Sequence, residues 1–282
     1  MHYPSLLCPE KNRDIDDDPE LCYKGIMLVD SHCHLELEDF DLDRDEVIEE
    51  SKKEGLKYIL TVGTEKMYFG RVLEIIEKYD FVYGAIGVHP HSSRDWKSDF
   101  GKELEKFLKH KKIVALGEIG LDFYKNYSPP DVQKEVFAIE LALARKNEIP
   151  VIIHSRNAES ETIEILDSFY PDGRRGVIHC FSYDRNAAKK FLDRGFYISI
   201  PGTITFTNVG RLVEAVKYIP LKRILVETDA PFLTPQKERG KRNVPYYVRY
   251  TLDRVAQIKG ISPSDLGEIV VRNFENLFLK GA

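Results

Sequence analysis

Short apolar runs alternate with longer, charge-laced amphipathic segments along most of the chain. The runs are Ile26–Ser31, Tyr58–Val62, Phe81–Val88, Ile113–Glu118, Pro150–His154, Gly176–Cys180, Phe196–Ile200 and Arg223–Thr228. They lack the apolar–polar alternation of a half-exposed strand. They therefore read as parallel strands covered on both faces. Between them, segments around 43–54, 66–79, 98–110, 131–147, 158–168, 184–194 and 208–217 carry helical spacing. Asp131 and Asp184 stand where N-caps belong, and Gly55 and Gly195 where helices stop. Two further helical segments, near 244–259 and 262–279, follow the last run. Ser262-Pro263 supplies the second with an N-cap and a proline in its first turn.

Eight β runs, most of them followed by a helix, predict an α/β fold of the (β/α)8 TIM-barrel type. A doubly wound open sheet is the competing arrangement, but no G-x-G-x-x-G follows the first run. No repeat or low-complexity tract divides residues 27–282, which are expected to form one barrel domain. The first 26 residues differ. Glu10, Asp14, Asp16, Asp17, Asp18 and Glu20 dominate them, without apolar periodicity, so an acidic peripheral extension is expected there.

Composition narrows the partners. The 282 residues include 41 basic and 46 acidic side chains, a net charge of −5. That excludes a general electrostatic grip on nucleic acid, so a phosphate ligand needs local cations or metal ions. Cys8, Cys22, Cys33 and Cys180 are too scattered for a zinc finger or a disulfide framework, which fits a reducing compartment, the cytoplasm. No basic leader precedes an apolar run, and no stretch has the length of a membrane helix.

The chemistry lies at the ends of the runs: Asp30-Ser31-His32-Cys33-His34, Gly117-Glu118, His154-Ser155-Arg156, His179-Cys180 and Glu227-Thr228-Asp229. In a barrel these ends converge on one face. Residues i and i+2 of a strand share a side, so His32 and His34 can point into one cavity and hold one divalent ion. Glu118 and Asp229 supply negative charge, a carboxylate can bridge two ions, and His154 and His179 are placed for the second. Two ions about 3.5–4 Å apart activate water and stabilise the leaving oxygen of a phosphoester. Any one histidine is more often a hydrogen-bonded structural residue than a ligand. Four histidines and two carboxylates at strand ends are a different matter. His89, in Val88-His89-Pro90-His91, fits a ligand, a substrate contact or a loop anchor. Cys33 and Cys180 read as small buried fillers.

The strings VDSHCHLE, GEIGLDFY, HSR, HCF and ETDAPFL, followed by RGKRN, resemble the TatD family of metal-dependent deoxyribonucleases, within the amidohydrolase-like TIM-barrel hydrolases. The resemblance runs from about Met27 to about Leu279. It implies metal ligation by His32, His34, Glu118, His154, His179 and Asp229, with Glu118 as bridge and Asp229 as water-orienting base. It also implies two divalent ions per chain, zinc, manganese or magnesium. The implied substrate is DNA, single-stranded or at frayed ends. Many amidohydrolases place a carboxylated lysine between their metals; Glu118 stands there without modification.

Phosphate contacts are expected from His89, from Arg156, two residues beyond His154, and from Arg239 and Lys241 in the basic stretch Lys237–Asn243. The bland alternatives are an Arg156–Glu159 pair and an ordinary solvated loop. Two rival functions remain open: an amidase, esterase or deacylase using the same metals on a carbonyl centre, and a non-catalytic nucleic-acid-binding barrel.

Overall fold

The computed structural model describes residues 25–170 and 176–280. The acidic extension expected over residues 1–26 lies, but for its last two residues, outside the described residues. Eight strands follow in chain order: β1 Leu28–Cys33, β2 Leu56–Gly63, β3 Val82–Ile86, β4 Ile113–Asp122, β5 Val151–Arg156, β6 Gly176–Ile178, β7 Tyr197–Ile200 and β8 Ile224–Val226. Each pairs with the next in parallel, giving the spatial order β1 to β8. The helices are α1 Arg44–Lys53, α2 Lys66–Lys78, α3 Phe100–Phe107, α4 Pro130–Lys146, α5 Glu159–Phe169, α6 Arg185–Asp193, α7 Gly210–Tyr218, α8 Val248–Lys259 and α9 Pro263–Phe274. This is the TIM barrel that the alternation predicts.

Every residue of β1, β4, β6, β7 and β8 is buried, which is why these strands show no alternation in the sequence. Helix boundaries follow local chemistry. The Asp184 carboxylate accepts from the Asn186 and Ala187 amides at the start of α6, and Ser262 Oγ accepts from the Asp265 amide at the start of α9. Gly55 and Gly195 take positive φ just past α1 and α6. Asp131 is not a cap. Pro129 precedes the first turn of α4 and Pro130 opens it, so Asp131 falls inside that turn. A proline fits there because no amide hydrogen is needed, and the Asp131 charge still complements the helix dipole.

Two features position the site. At Gly117 and Gly120, β4 runs so close to β5 that a Cβ would lie 2.5 Å from Ile152 Cβ and 2.1 Å from the His154 carbonyl oxygen. That approach sets Glu118 beside His154. The second feature is the junction of the first and last strands. Among the described residues no ladder pairs β8 with β1. Polar contacts join them instead. The Asp229 amide donates to the His32 carbonyl at 2.9 Å, the His34 amide to the Ala230 carbonyl at 2.7 Å, and Ser31 Oγ to the Val226 carbonyl at 2.9 Å. The buried Asp30 carboxylate accepts from the Thr228 amide at 2.9 Å and from its hydroxyl at 2.5 Å.

Candidate metal centre

The donors stand at or just beyond strand ends: His32 on β1 with His34 one residue past it, Glu118 within β4, His154 on β5, His179 one residue past β6, and Asp229 three past β8. Asp229 takes a left-handed φ of 58°, so the chain turns sharply as it leaves β8 and aims the carboxylate back over β1. The His-x-His pair meets as strand parity requires, with its Nε2 atoms 3.3 Å apart.

Glu118 divides the cluster in two. Its Oε2 lies 3.4 Å from His32 Nε2 and 4.0 Å from His34 Nε2, and Asp229 Oδ1 lies 3.8 and 3.4 Å from the same two nitrogens. Its Oε1 lies 2.5 Å from His154 Nδ1, 3.1 Å from His179 Nε2 and 3.4 Å from His89 Nε2. Ligands held at about 2.0–2.2 Å around a tetrahedral ion stand roughly 3.3–3.6 Å from one another. Within the first set the His32–His34, His32–Glu118 and His34–Asp229 distances, 3.3, 3.4 and 3.4 Å, have that spacing, while His32–Asp229 and His34–Glu118, at 3.8 and 4.0 Å, are wider. Two imidazole nitrogens 3.3 Å apart share at most one proton, whereas a cation satisfies both lone pairs. The donor chemistry suits divalent metal, and the groupings close enough to hold an ion include His32, His34 and Asp229; His32, Glu118 and His179; and His89, Glu118 and His154.

A further ring of carboxylates fixes the imidazoles. Nδ1 of His34 faces the Val62 carbonyl at 2.8 Å and Glu36 at 3.1 Å, which leaves Nε2 for the cavity. Nδ1 of His179 faces Glu227 at 3.0 Å, and Nε2 of His154 faces Asp122 at 3.2 Å. Asp122 also holds His91 at 2.9 Å. The rings of His32 and His179 stack at 3.7 Å.

Electrostatics follow the same division. Burial pushes His89 down to about 4 and lowers His32, which His179 lowers further. Burial opposes charge on His34, His154 and His179 as well, but their carboxylate neighbours prevail and hold these pKa values up. Glu118 and Asp229 stay low against their burial because imidazoles surround them. Burial pushes Asp30 up to about 8, against the hydrogen bonds it accepts from Thr228 and the His32 amide.

The structure brings together all six sequence-predicted ligands and adds His89, which stands 3.4 Å from His154 Nδ1 as well as beside Glu118. Asp30, Glu36, His91, Asp122 and Glu227 were not singled out as site residues by sequence reasoning. Four of them carry a readable signal: each is a carboxylate two or four residues from a candidate ligand, a spacing that puts residues on one side where the chain is a strand, as for Asp30 with His32 and Asp122 with Glu118. Cys33 is fully buried as expected, but Cys180 is only half-buried, with φ of 46° and its amide donating to Glu227.

The expected phosphate contacts are more dispersed. Arg156 is exposed and lies over the Tyr124 ring, Cζ 4.1 Å from its centroid, while Glu159 pairs with Lys190 instead. Arg239 lies over Phe206 at 4.7 Å, Lys241 pairs with Glu238 at 2.7 Å, and Arg242 binds both oxygens of Asp43. The basic stretch thus has much of its charge answered within the chain.

The model of the TatD-related DNase family matches residues 29–279, from β1 to beyond α9. The chain belongs to the TatD-related DNase family. It is 40% identical over 252 residues to "Uncharacterized metal-dependent hydrolase YabD" of Bacillus subtilis, covering 89% of this chain and 99% of that one. It is 32% identical over 256 residues to the "3'-5' ssDNA/RNA exonuclease TatD" of Salmonella typhimurium, covering 89% and 98%. The crystal structure of YJJV, a TatD homologue from Escherichia coli, superposes with a TM-score of 0.84 at 28% identity, over 89% of this chain and 97% of that one. The chain is accordingly a TatD-family metal-dependent hydrolase. Among the described residues no helix is long and apolar enough to cross a membrane.

Proposed function

We propose that this TatD-family hydrolase cleaves phosphodiester bonds of DNA, as single strands or frayed ends, with two divalent ions held at the mouth of the barrel. The observation that carries the reading is Glu118: its two oxygens face two different donor sets. Bound there, the ions would acidify a water and neutralise charge on the phosphate. The side chains do the rest. Asp229, held ionised by His34, His179 and His32, is the group to accept or orient the water proton. Glu118 keeps the two donor sets in register. His89, neutral and beside Glu118, is placed to contact substrate or to complete the second set. Arg156 supplies a cation near the mouth for a phosphate oxygen, and Arg239 and Lys241 supply others after β8. The free thiols of Cys33 and Cys180 fit work in the cytoplasm.

An end-labelled single-stranded DNA digest with zinc, manganese and magnesium added in turn, beside a panel of amides and esters, tests the reading. The expected result is metal-dependent DNA products, abolished by chelation, and two ions per chain by elemental analysis, fewer in His32→Ala/His34→Ala. Turnover of the amides or esters without the DNA would overturn it.

A further inference from the structure

Six large hydrophobic side chains are exposed among the described residues: Met27, Leu42, Met67, Tyr124, Tyr127 and Phe232. The three aromatic ones all follow strands that carry or lead into candidate donors. Tyr124 and Tyr127 follow β4, whose Glu118 is the central carboxylate, and Phe232 follows Asp229 by three residues. They are 57%, 53% and 51% exposed. About half of each ring's surface stays in water, so burial in the barrel accounts for only part of it.

Each is tied to the candidate ligands. Tyr127 meets the edge of His91 at 4.7 Å, and His91 meets His89 at 4.2 Å and His154 at 6.4 Å. Tyr124 is aligned by its own amide, which donates to Asp122, the carboxylate that holds His154. On the other side Phe232 meets the edge of His34 at 6.0 Å. One aromatic station thus borders the second donor set and another borders the first. Cations accompany the tyrosines: the Arg156 guanidinium lies 4.1 Å over Tyr124, and Lys125 Nζ stands 5.9 Å from both rings.

Exposed rings interleaved with cations suit unpaired nucleobases, whose faces stack on aromatic side chains while the backbone phosphates meet the charges. A duplex hides those faces. We infer that Tyr124 and Tyr127 on one side of the metal centre, and Phe232 on the other, form base-stacking subsites that hold single-stranded nucleic acid by its bases. The inference rests on the phosphodiesterase reading above and adds to it the groups that select unpaired substrate.

The test compares a thymidine oligonucleotide with one of equal length whose sites are all abasic, using metal-loaded enzyme. Wild type should show a lower KM for the thymidine strand. Tyr124→Leu, Tyr127→Leu and Phe232→Leu should each raise that KM by roughly 5–100-fold, the effect of removing the stacking platform of one base. Their kcat should stay within about twofold, as should KM for the abasic strand. Tyr124→Phe and Tyr127→Phe, which keep the ring, should behave as wild type. A strand carrying 2-aminopurine, bound in chelator where nothing is cleaved, should lose fluorescence on wild type and regain it on the leucine variants. Equal KM for both strands in wild type, or leucine variants indistinguishable from wild type, would overturn the subsites while leaving the nuclease reading intact. Loss of self-association in the variants with unchanged KM would assign the rings to a protein contact and likewise overturn them. Turnover of neither strand, with esters or amides hydrolysed, would instead remove the nuclease reading and this inference with it.

Discussion

Five imidazoles face the Glu118 carboxylate, while Asp229 stands beside His32 and His34 and is the carboxylate expected to orient water. Asp229→Asn keeps the shape and removes the basicity. Turnover should fall by at least the roughly 10²–10⁴-fold typical of lost acid–base catalysis. Folding should persist, because the Asp229 amide, not its side chain, joins β1 to the last turn. Steady-state kinetics beside a thermal melt check both halves, and near-normal kcat would remove Asp229 from the proton chemistry. Glu140 behaves differently. It lies wholly buried in α4, accepts from the Val88 amide at 2.7 Å, and burial raises its pKa well above the usual value. A carboxyl that is protonated when folded and ionised when unfolded favours the fold below its unfolded pKa. That contribution is lost as pH climbs toward the folded value. Glu140→Gln has no such slope, so its stability relative to wild type should improve from pH 5 to pH 8, by up to about 1.4 kcal/mol per pH unit. Urea unfolding at both pH values measures the gap, and a gap that does not change with pH would refute it. The six clustered donors were legible because strand ends and the His-x-His spacing expose them. Their supporting carboxylates were marked only by an even spacing from those donors, and Glu36 or Asp122 in a chain with 46 acidic residues otherwise looks like any solvated charge. Only the folded pairing with His34 and His154 reveals the role.

Among the elements, β4 carries the heaviest constraint. The sequence pattern ends it at Glu118, but it continues to Asp122. The extension is hidden by Gly117 and Gly120, which read as breakers and are in fact close-approach points against β5. Gly120 adopts φ of 137°. Gly120→Ala combines an unsuitable backbone with overpacking against the His154 carbonyl and should cost roughly 2–4 kcal/mol. It should also lower activity by moving Glu118 away from His154. Chemical denaturation and kinetics on the same preparation test this; a variant with wild-type stability would contradict the contact. The β6 and β8 runs err the other way, with strands that stop at Ile178 and Val226. Their last residues, His179 and Glu227 included, leave the ladder to serve the site, and apolar pattern alone does not register that departure. The α4 start shows a third kind of error, where consecutive prolines displaced the expected Asp131 cap.

For the molecule as a whole, net charge of −5 leaves substrate attraction to local cations. With Lys241 bound to Glu238, Arg239 carries most of the expected effect after β8. Arg239→Ala with Lys241→Ala should raise KM for DNA more than it lowers kcat. The salt dependence of binding should flatten by about one unit of slope for each phosphate no longer neutralised by a side chain. Metal content should not change. An unaltered salt slope would make the loop ordinary surface and leave the phosphate to Arg156 and the ions. The barrel itself was legible from alternation, whereas its closure was not. The β1–β8 junction uses side chains such as Asp30 and Ser31, which no periodicity marks.

That junction also sets a timetable. Asp30 and Thr228, which meet there, are 198 residues apart in the chain. At a synthesis rate of about 5–20 residues per second, the His-x-His pair waits roughly 10–40 s for the carboxylate that completes its donor set. During that interval two histidines alone make a weak and undiscriminating trap for whatever ion is abundant. Once the last strand arrives, an ion shared by His32, His34 and Asp229 would span the one boundary without a ladder among the described residues and fasten the longest loop in the barrel. Selection of the metal and completion of the ring would then be a single, late event in the life of the nascent chain.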